Sequence, residues 1–186
     1  MVRDADRTRQ RILAAAIEEF AALGIAGARV NHIAEVAGCN KAMLYAYFGN
    51  KDQLFDAVFA AHVNAYVEQV TFDATDLAAY AGRLFDYFED NPDQLRLSIW
   101  YRLERPQGSR LEAVVAVNQT RLEQLKQAQQ EGILPSHYEP AELLALVQST
   151  STTWSSMNPE YGIDAPGDRT QRRRTVTDAV RRLLAS

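Results

Sequence analysis

Residues 30–48 concentrate the side chains whose types and spacing suit contact with a nucleic-acid duplex. Two short helical patterns flank Gly38, which indicates a tight turn between two helices. In the second pattern Leu44 and Phe48 lie four residues apart and can anchor that helix against the first. The rest of the second helix then faces outward with small, polar and aromatic side chains: Asn40, Lys41, Ala42, Met43, Ala46 and Tyr47.

These outward side chains fit the chemistry of a DNA groove. Small side chains at Ala42 and Ala46 let the helix backbone approach the groove floor, and Met43 can touch a thymine methyl group. The positive end of the helix dipole favours nearby phosphates. The pattern therefore predicts a helix-turn-helix whose second helix enters the major groove.

Other chemistries lack a matching pattern. The single cysteine, Cys39, has no motif-spaced histidine and is interpreted as a small packed residue. His32, His62 and His137 are scattered without metal-ligand spacing. Serine-hydrolase and phosphate-loop signatures are absent from the sequence. We therefore expect no bound metal, no cofactor and no enzymatic activity.

The charge is distributed unevenly along the chain. The net charge is −4, but residues 1–54 carry seven Lys and Arg against six Asp and Glu, a net charge of +1. The remainder carries thirteen against eighteen, a net charge of −5. A DNA-binding segment needs a basic local surface, so this nearly neutral head supports DNA binding only modestly. One cysteine and no stretch of about 18 apolar residues lead us to expect a cytoplasmic protein with no membrane partner.

Helical periodicity extends over the whole chain and predicts an all-α fold of about nine helices. Gly24 is expected to end the first helix, and Asn50 to cap the fourth with Gln53 three residues on. Pro and Gly place a loop at 158–168. The predicted helices are 8–23, 31–37, 41–48, 50–70, 77–88, 94–103, 109–131, 141–157 and 169–184.

Residues 9–54 resemble the N-terminal domain of the TetR family of transcriptional regulators. The resemblance implies an N-terminal three-helix DNA-binding domain at 1–50, joined by a fourth helix to a helical effector-binding and dimerisation domain at 51–186. It rests on residues in the family's order and spacing: Ile33-Ala34, Ala37-Gly38, Leu44-Tyr45, Tyr47-Phe48, Lys51 and Leu54.

By position, the resemblance also implies the residues that contact DNA. Asn40 occupies the cap of the recognition helix. Arg29 departs from the family's usual Ser or Thr, and because arginine cannot cap, we expect the second helix to begin at Asn31. The implied base-reading residues are Lys41, Ala42 and Met43, and the implied phosphate contacts are Tyr45, Tyr47, Lys51 and Arg29.

The resemblance further implies a pocket for a small-molecule effector among the middle helices. Aromatic side chains there can serve either as core or as pocket lining, and two polar side chains can orient a ligand. The candidate ligand-binding residues are Tyr66, Phe85, Phe88, Trp100, Tyr101, Asn118, Gln148 and Trp154.

Together these features predict a transcriptional repressor that binds a palindromic double-stranded operator as a homodimer and is released by an effector. The expected dimer surface is the pair of helices 141–157 and 169–184. The arginines of the last helix either rim that surface or contact DNA as well. An alternative is a helical small-molecule-binding or scaffolding protein that no longer reads DNA.

Overall fold

The computed structural model describes residues 2–105, 112–155, 158 and 168–185. Within these ranges the chain forms nine α-helices and no strand, which confirms the predicted all-helical class. None of the helices in the described part is long and apolar enough to cross a membrane. The helices are α1 (Val2–Gly27), α2 (Val30–Val36), α3 (Lys41–Phe48), α4 (Lys51–Gln69), α5 (Leu77–Asp90), α6 (Pro92–Glu104), α7 (Glu112–Gln130), α8 (Pro140–Ser151) and α9 (Arg169–Leu183).

Helix α1 does not end where the sequence pattern predicts. Gly24 has φ 71° and ψ −177°, so it kinks the helix, and helical structure continues to Gly27. A side chain at Gly24 would collide with Trp100 and the Glu104 carboxylate, which is a second reason for glycine there. Leu23, expected on the apolar face, lies beside this kink and is 41% exposed.

Helix α8 is shorter than predicted, because it ends at Ser151 and a turn follows. The hydroxyl groups near its end donate to carbonyl groups of the preceding turn, as Thr150 does to Leu146 O at 2.8 Å and Thr153 to Ser149 O at 3.2 Å. Such local bonds compete with continued helix, and periodicity does not register them. Residues 156 and 157 and most of the predicted loop 158–168 lie outside the described residues.

The chain divides into two compact units, and the first takes the described residues of 1–64 and 93–111. Its core is filled by α1, α2, α3 and the first part of α4, with Phe20 edge-on to Phe55 at 5.2 Å between ring centroids. Helix α6 is fastened to α1 by Trp100, whose indole N–H donates to Ala21 O at 3.2 Å. This unit extends beyond residue 50, the predicted boundary between a DNA-binding domain and an effector-binding domain. That functional boundary stays a prediction.

The second unit takes the described residues of 65–92 and 112–186. Helix α5 packs against α8 and α9 around buried apolar side chains. Three arginines of α9 pair with acids of α5: Arg169 with Asp86 and Asp90, Arg172 with Glu89, and Arg173 with Asp86. These pairs join two helices of one unit, so they give three of the six arginines of α9 a role in the fold.

Candidate functional site

A cleft of about 630 Å³ opens on the first unit beside the short helices α2 and α3. It brings together four of the eight residues predicted to contact DNA, namely Arg29, Lys41, Tyr45 and Lys51. Three of these side chains are cations and the fourth is a phenol. All four can donate hydrogen bonds to phosphate oxygens. The remaining lining residues are Ala28, Val30, Asn31, His32 and Glu35.

Helix α3 has the orientation that its sequence predicts. Asn40 caps the helix, because its Oδ1 accepts a hydrogen bond from Met43 N–H at 2.8 Å. Leu44 and Phe48 are buried and hold the helix against the unit. The other side is exposed, with Lys41, Ala42, Met43, Ala46 and Tyr47 facing solvent.

The tyrosines of α3 differ in their surroundings. Tyr45 is half-buried, and the Lys41 ammonium lies 5.6 Å from the centroid of its ring. Tyr47 is 36% exposed and tilts against Phe48. Neither phenol has a hydrogen-bond partner within the described ranges, so both hydroxyl groups are available to donate to a phosphate.

The start of α2 corrects the sequence-based expectation. The helix begins at Val30 rather than Asn31, with Arg29 in the N-cap position, where its side chain makes no capping bond. The buried carboxylate of Glu19 takes over: its Oε1 accepts from Arg29 N–H at 2.9 Å and from Arg29 Nε at 3.4 Å. Its other oxygen lies 3.7 Å from His32 Nε2.

The role of Glu19 at the start of α2 does not follow from the sequence, in which Glu19 is simply a charged residue between apolar positions of α1. Glu19 is only 7% exposed, and charged residues are rarely buried without a partner. No local signal identifies that partner, since Arg29 is ten residues away and on the next helix. The carboxylate therefore closes the N-terminus of α2 from a neighbouring helix, where negative charge also suits the helix dipole.

Lys51 has a structural role that the sequence pattern does not indicate. Its ammonium donates to Ala26 O at 3.0 Å and to Ala28 O at 3.3 Å, carbonyl groups at the end of α1. An ammonium has three N–H donors, so one remains for a phosphate at the cleft. Lys51 thus joins the start of α4 to the end of α1 and still lines the cleft.

A buried polar cluster lies elsewhere in the first unit. His62 on α4 is 5% exposed, and its Nε2 is 3.0 Å from the Ser98 hydroxyl on α6. Burial lowers the pKa of His62 to about 4, and the Gln94 side chain nearby opposes this shift. The imidazole is therefore neutral at physiological pH, in keeping with its burial.

The residues predicted to bind an effector divide between the two units. In the first unit, the Trp100 indole N–H donates to Ala21 O of α1, and Tyr101 stacks on Phe59 at 4.4 Å between ring centroids. In the second, Tyr66 stacks on Phe88 at 6.3 Å, and Phe85 is a buried core residue. Asn118, Gln148 and Trp154 also lie in the second unit and are half-buried.

Comparison with known families decides what this arrangement is. The family description "Bacterial regulatory proteins, tetR family" matches residues 12–58, which contain the cleft and α3. The description "Tetracyclin repressor-like, C-terminal domain" matches residues 76–182, more than half of the chain. The chain belongs to the TetR family. The resemblance drawn from the N-terminal residues is therefore confirmed, and TetR membership extends to the second unit.

Individual TetR relatives agree with this assignment. The transcriptional repressor SCO4008 of Streptomyces coelicolor is 42% identical over 102 residues, which are 55% of this chain and 53% of that protein. The chain spans about half the length of the curated relatives it matches. The crystal structure of SCO4942 from the same organism superimposes with a TM-score of 0.84 at 39% identity, covering 95% of this chain and 97% of that chain.

A more distant TetR-like structure shares the fold alone. It is AibR in complex with isovaleryl coenzyme A and operator DNA, with a TM-score of 0.71 at 19% identity. The superposition covers 93% of this chain and 97% of that one. At this identity the likeness establishes the helical architecture and assigns no residue of this chain to a ligand.

Proposed function

We propose that this TetR-family protein is a transcriptional repressor that binds a palindromic operator as a homodimer and releases it when a small-molecule effector binds. The observation that carries the proposal is the cleft in which Arg29, Lys41, Tyr45 and Lys51 meet beside the capped, outward-facing helix α3. The name of SCO4008, a transcriptional repressor, supports the direction of regulation. We also propose that it acts in the cytoplasm and is not an enzyme.

Each part of the first unit has a place in the proposed complex. Helix α3 lies in the major groove, where Ala42 and Met43 approach base edges and Lys41 reaches a base or a phosphate. Tyr45, Tyr47, Lys51 and Arg29 bind the flanking phosphates and fix the register of the helix. The phosphate contacts supply much of the affinity, and the few base contacts supply the specificity.

Homodimerisation follows from the small size of the reading element. Helix α3 has eight residues, so a single copy contacts too few base pairs for specific binding at physiological salt. Two copies related by a two-fold axis read a palindrome. We place the dimer surface on α8 and α9, and the exposure of Leu146 on α8, 38%, supports an apolar contact there.

The effector site belongs to residues 51–186 in this proposal. Its candidate lining is the set Tyr66, Phe85, Phe88, Trp100, Tyr101, Asn118, Gln148 and Trp154. Trp100 and Tyr101 pack inside the first unit and have a second proposed role, which is to transmit movement of α6. Such movement would reach α1 through the Trp100–Ala21 hydrogen bond. An effector then acts by favouring a conformation with lower operator affinity.

Selection of bound duplexes from a random DNA pool tests the proposal. The purified wild-type protein should enrich one palindrome at about 100 mM salt. The Lys41→Ala/Tyr45→Ala double variant should enrich none, while the Lys126→Ala control, an exposed lysine of α7, should enrich the wild-type palindrome. If the wild type enriches no sequence, or the double variant enriches the same one, the chain is instead the helical binding or scaffolding protein.

A further inference from the structure

Arg121 on α7 is a buried cation in the second unit. Its residue is 5% exposed, and within the described ranges no carboxylate forms an ion pair with it. Burying a charge without an opposite charge is unfavourable, because the ion loses its hydration. This places Arg121 apart from the arginines of α9, each of which is more exposed and several of which pair with α5 acids.

Aromatic rings surround the guanidinium group. Its central carbon lies 4.9 Å from the ring centroid of Tyr66, 5.5 Å from that of Phe72 and 5.6 Å from that of Tyr80. Ring faces attract a cation but carry no net charge. The rings therefore orient the guanidinium in an apolar environment but do not neutralise its positive charge, and the described residues place no carboxylate against it.

The tyrosines beside Arg121 do not supply the missing anion. Their hydroxyl oxygens are 2.6 Å apart, so one phenol donates to the other. Burial raises the pKa of Tyr66 well above its ordinary value, although Arg121 acts in the opposite direction. Tyr66 therefore stays neutral at physiological pH, and a short hydroxyl pair of this kind still offers lone pairs or a proton to a ligand.

Asn118 adds a second polar group on the same helix. It precedes Arg121 by three residues, so the two side chains project from the same side of α7. Asn118 is half-buried, and its amide has no hydrogen-bond partner in the part of the chain that the structure describes. An amide and a guanidinium one helical turn apart are the donors that carboxylate and phosphate oxygens require.

We propose that Arg121, assisted by Asn118 and the Tyr66–Tyr80 pair, binds the anionic head of the effector, a carboxylate or a phosphate attached to an apolar or aromatic body. The inference rests on the proposed function and names the chemical class of its effector. The anion supplies the opposite charge for the Arg121 guanidinium, and the surrounding rings contact the apolar body. A purely structural arginine would instead need its charge balanced within the fold.

A matched pair of fluorescent probes tests the charge requirement. Anilinonaphthalene sulfonate carries an anionic group, and N-phenyl-1-naphthylamine is its neutral counterpart. The wild type should bind the sulfonate saturably, and Arg121→Gln should weaken it about tenfold or more while binding of the neutral probe changes little. Arg182→Gln, which removes an exposed positive charge from α9, should leave both affinities unchanged. Decanoate and decyl phosphate, each added as a competitor, distinguish a carboxylate head from a phosphate head.

A second variant separates binding from folding. Arg121→Met keeps similar volume and removes the uncompensated charge, so its thermal midpoint should equal or exceed that of the wild type. The proposal is overturned if the wild type does not bind the sulfonate saturably, or if Arg121→Gln binds it as tightly. It is equally overturned if Arg121→Met is destabilised while keeping sulfonate affinity.

Operator binding distinguishes this inference from the proposed function. Arg121→Gln should bind the selected palindrome as the wild type does, because Arg121 lies outside the unit that contains α3. Its complex should no longer be released by whichever of decanoate or decyl phosphate releases the wild type. Normal operator binding together with unchanged sulfonate affinity would refute the Arg121 site and leave the repressor assignment standing.

Discussion

Glu19 Oε1 accepts a hydrogen bond from Arg29 N–H at 2.9 Å, and this contact joins the middle of α1 to the first turn of α2. The same oxygen is 3.4 Å from Arg29 Nε, so one buried carboxylate holds both the backbone and the side chain of a cleft residue. Helix α2 packs against α3, and the position of α3 therefore depends on a buried residue of another helix.

Replacing Glu19, which does not itself line the cleft, should destabilise the protein. Glu19→Ala removes the acceptor of Arg29 N–H, and we expect a loss of about 1–3 kcal/mol in the free energy of unfolding. Urea unfolding followed by tryptophan fluorescence measures the loss. Glu18→Ala alters the exposed neighbour and should unfold at the wild-type urea concentration. Equal midpoints for the two variants would contradict the bridging role of Glu19.

Asn40 should matter through its cap on α3. Asn40→Ala leaves Met43 N–H without its acceptor and is expected to cost about 1 kcal/mol, whereas Asn40→Ser should restore most of the loss. The readouts are the urea midpoint and operator affinity, which should fall together. Asn64→Ala, at an exposed amide of α4 outside the cleft, is the matched control. A stable Asn40→Ala variant would mean that packing alone holds the reading helix.

Lys51 should affect both folding and phosphate binding. In Lys51→Ala the plot of log affinity against log salt should become shallower by about 0.9, the value for one phosphate contact. The free energy of unfolding should also fall, because Ala26 O and Ala28 O lose a donor. Operator binding over a range of salt concentrations provides the slope, with Lys126→Ala for comparison. An unchanged slope would leave Lys51 with its structural role only.

His62 should make stability fall in acid. Its pKa is lowered from 6.5 to about 4 by burial, so between these values the unfolded chain binds the proton and the folded chain does not. Stability therefore decreases as the pH falls from 6.5 towards 4, by about 3 kcal/mol in total. Urea unfolding at several pH values should show this component in the wild type and lose it in His62→Gln. His137→Gln, at an exposed histidine, should retain it.

Local sequence information determined the helices and the outward face of the reading helix. α3 has the predicted bounds, Leu44 and Phe48 are buried, and Asn40 caps as expected, because each depends on side chains within one helical turn. The order and spacing of the motif residues also identified the family, because they reflect how the short helices of the N-terminal domain pack together. These features follow from neighbours close along the chain.

Contacts between distant residues were decided only by the tertiary structure. Glu19 replaces the missing cap of α2, Lys51 binds carbonyl groups some 25 residues earlier, and Arg121 enters a ring of aromatic side chains drawn from α4, α5 and the segment between them. Helical periodicity predicts that a charged residue faces solvent. Whether its charge is buried, and which groups it contacts, depends on how another helix packs against it. The sequence alone thus determined which helices form, and tertiary packing decided which of their polar groups are committed to the fold and which remain for a ligand.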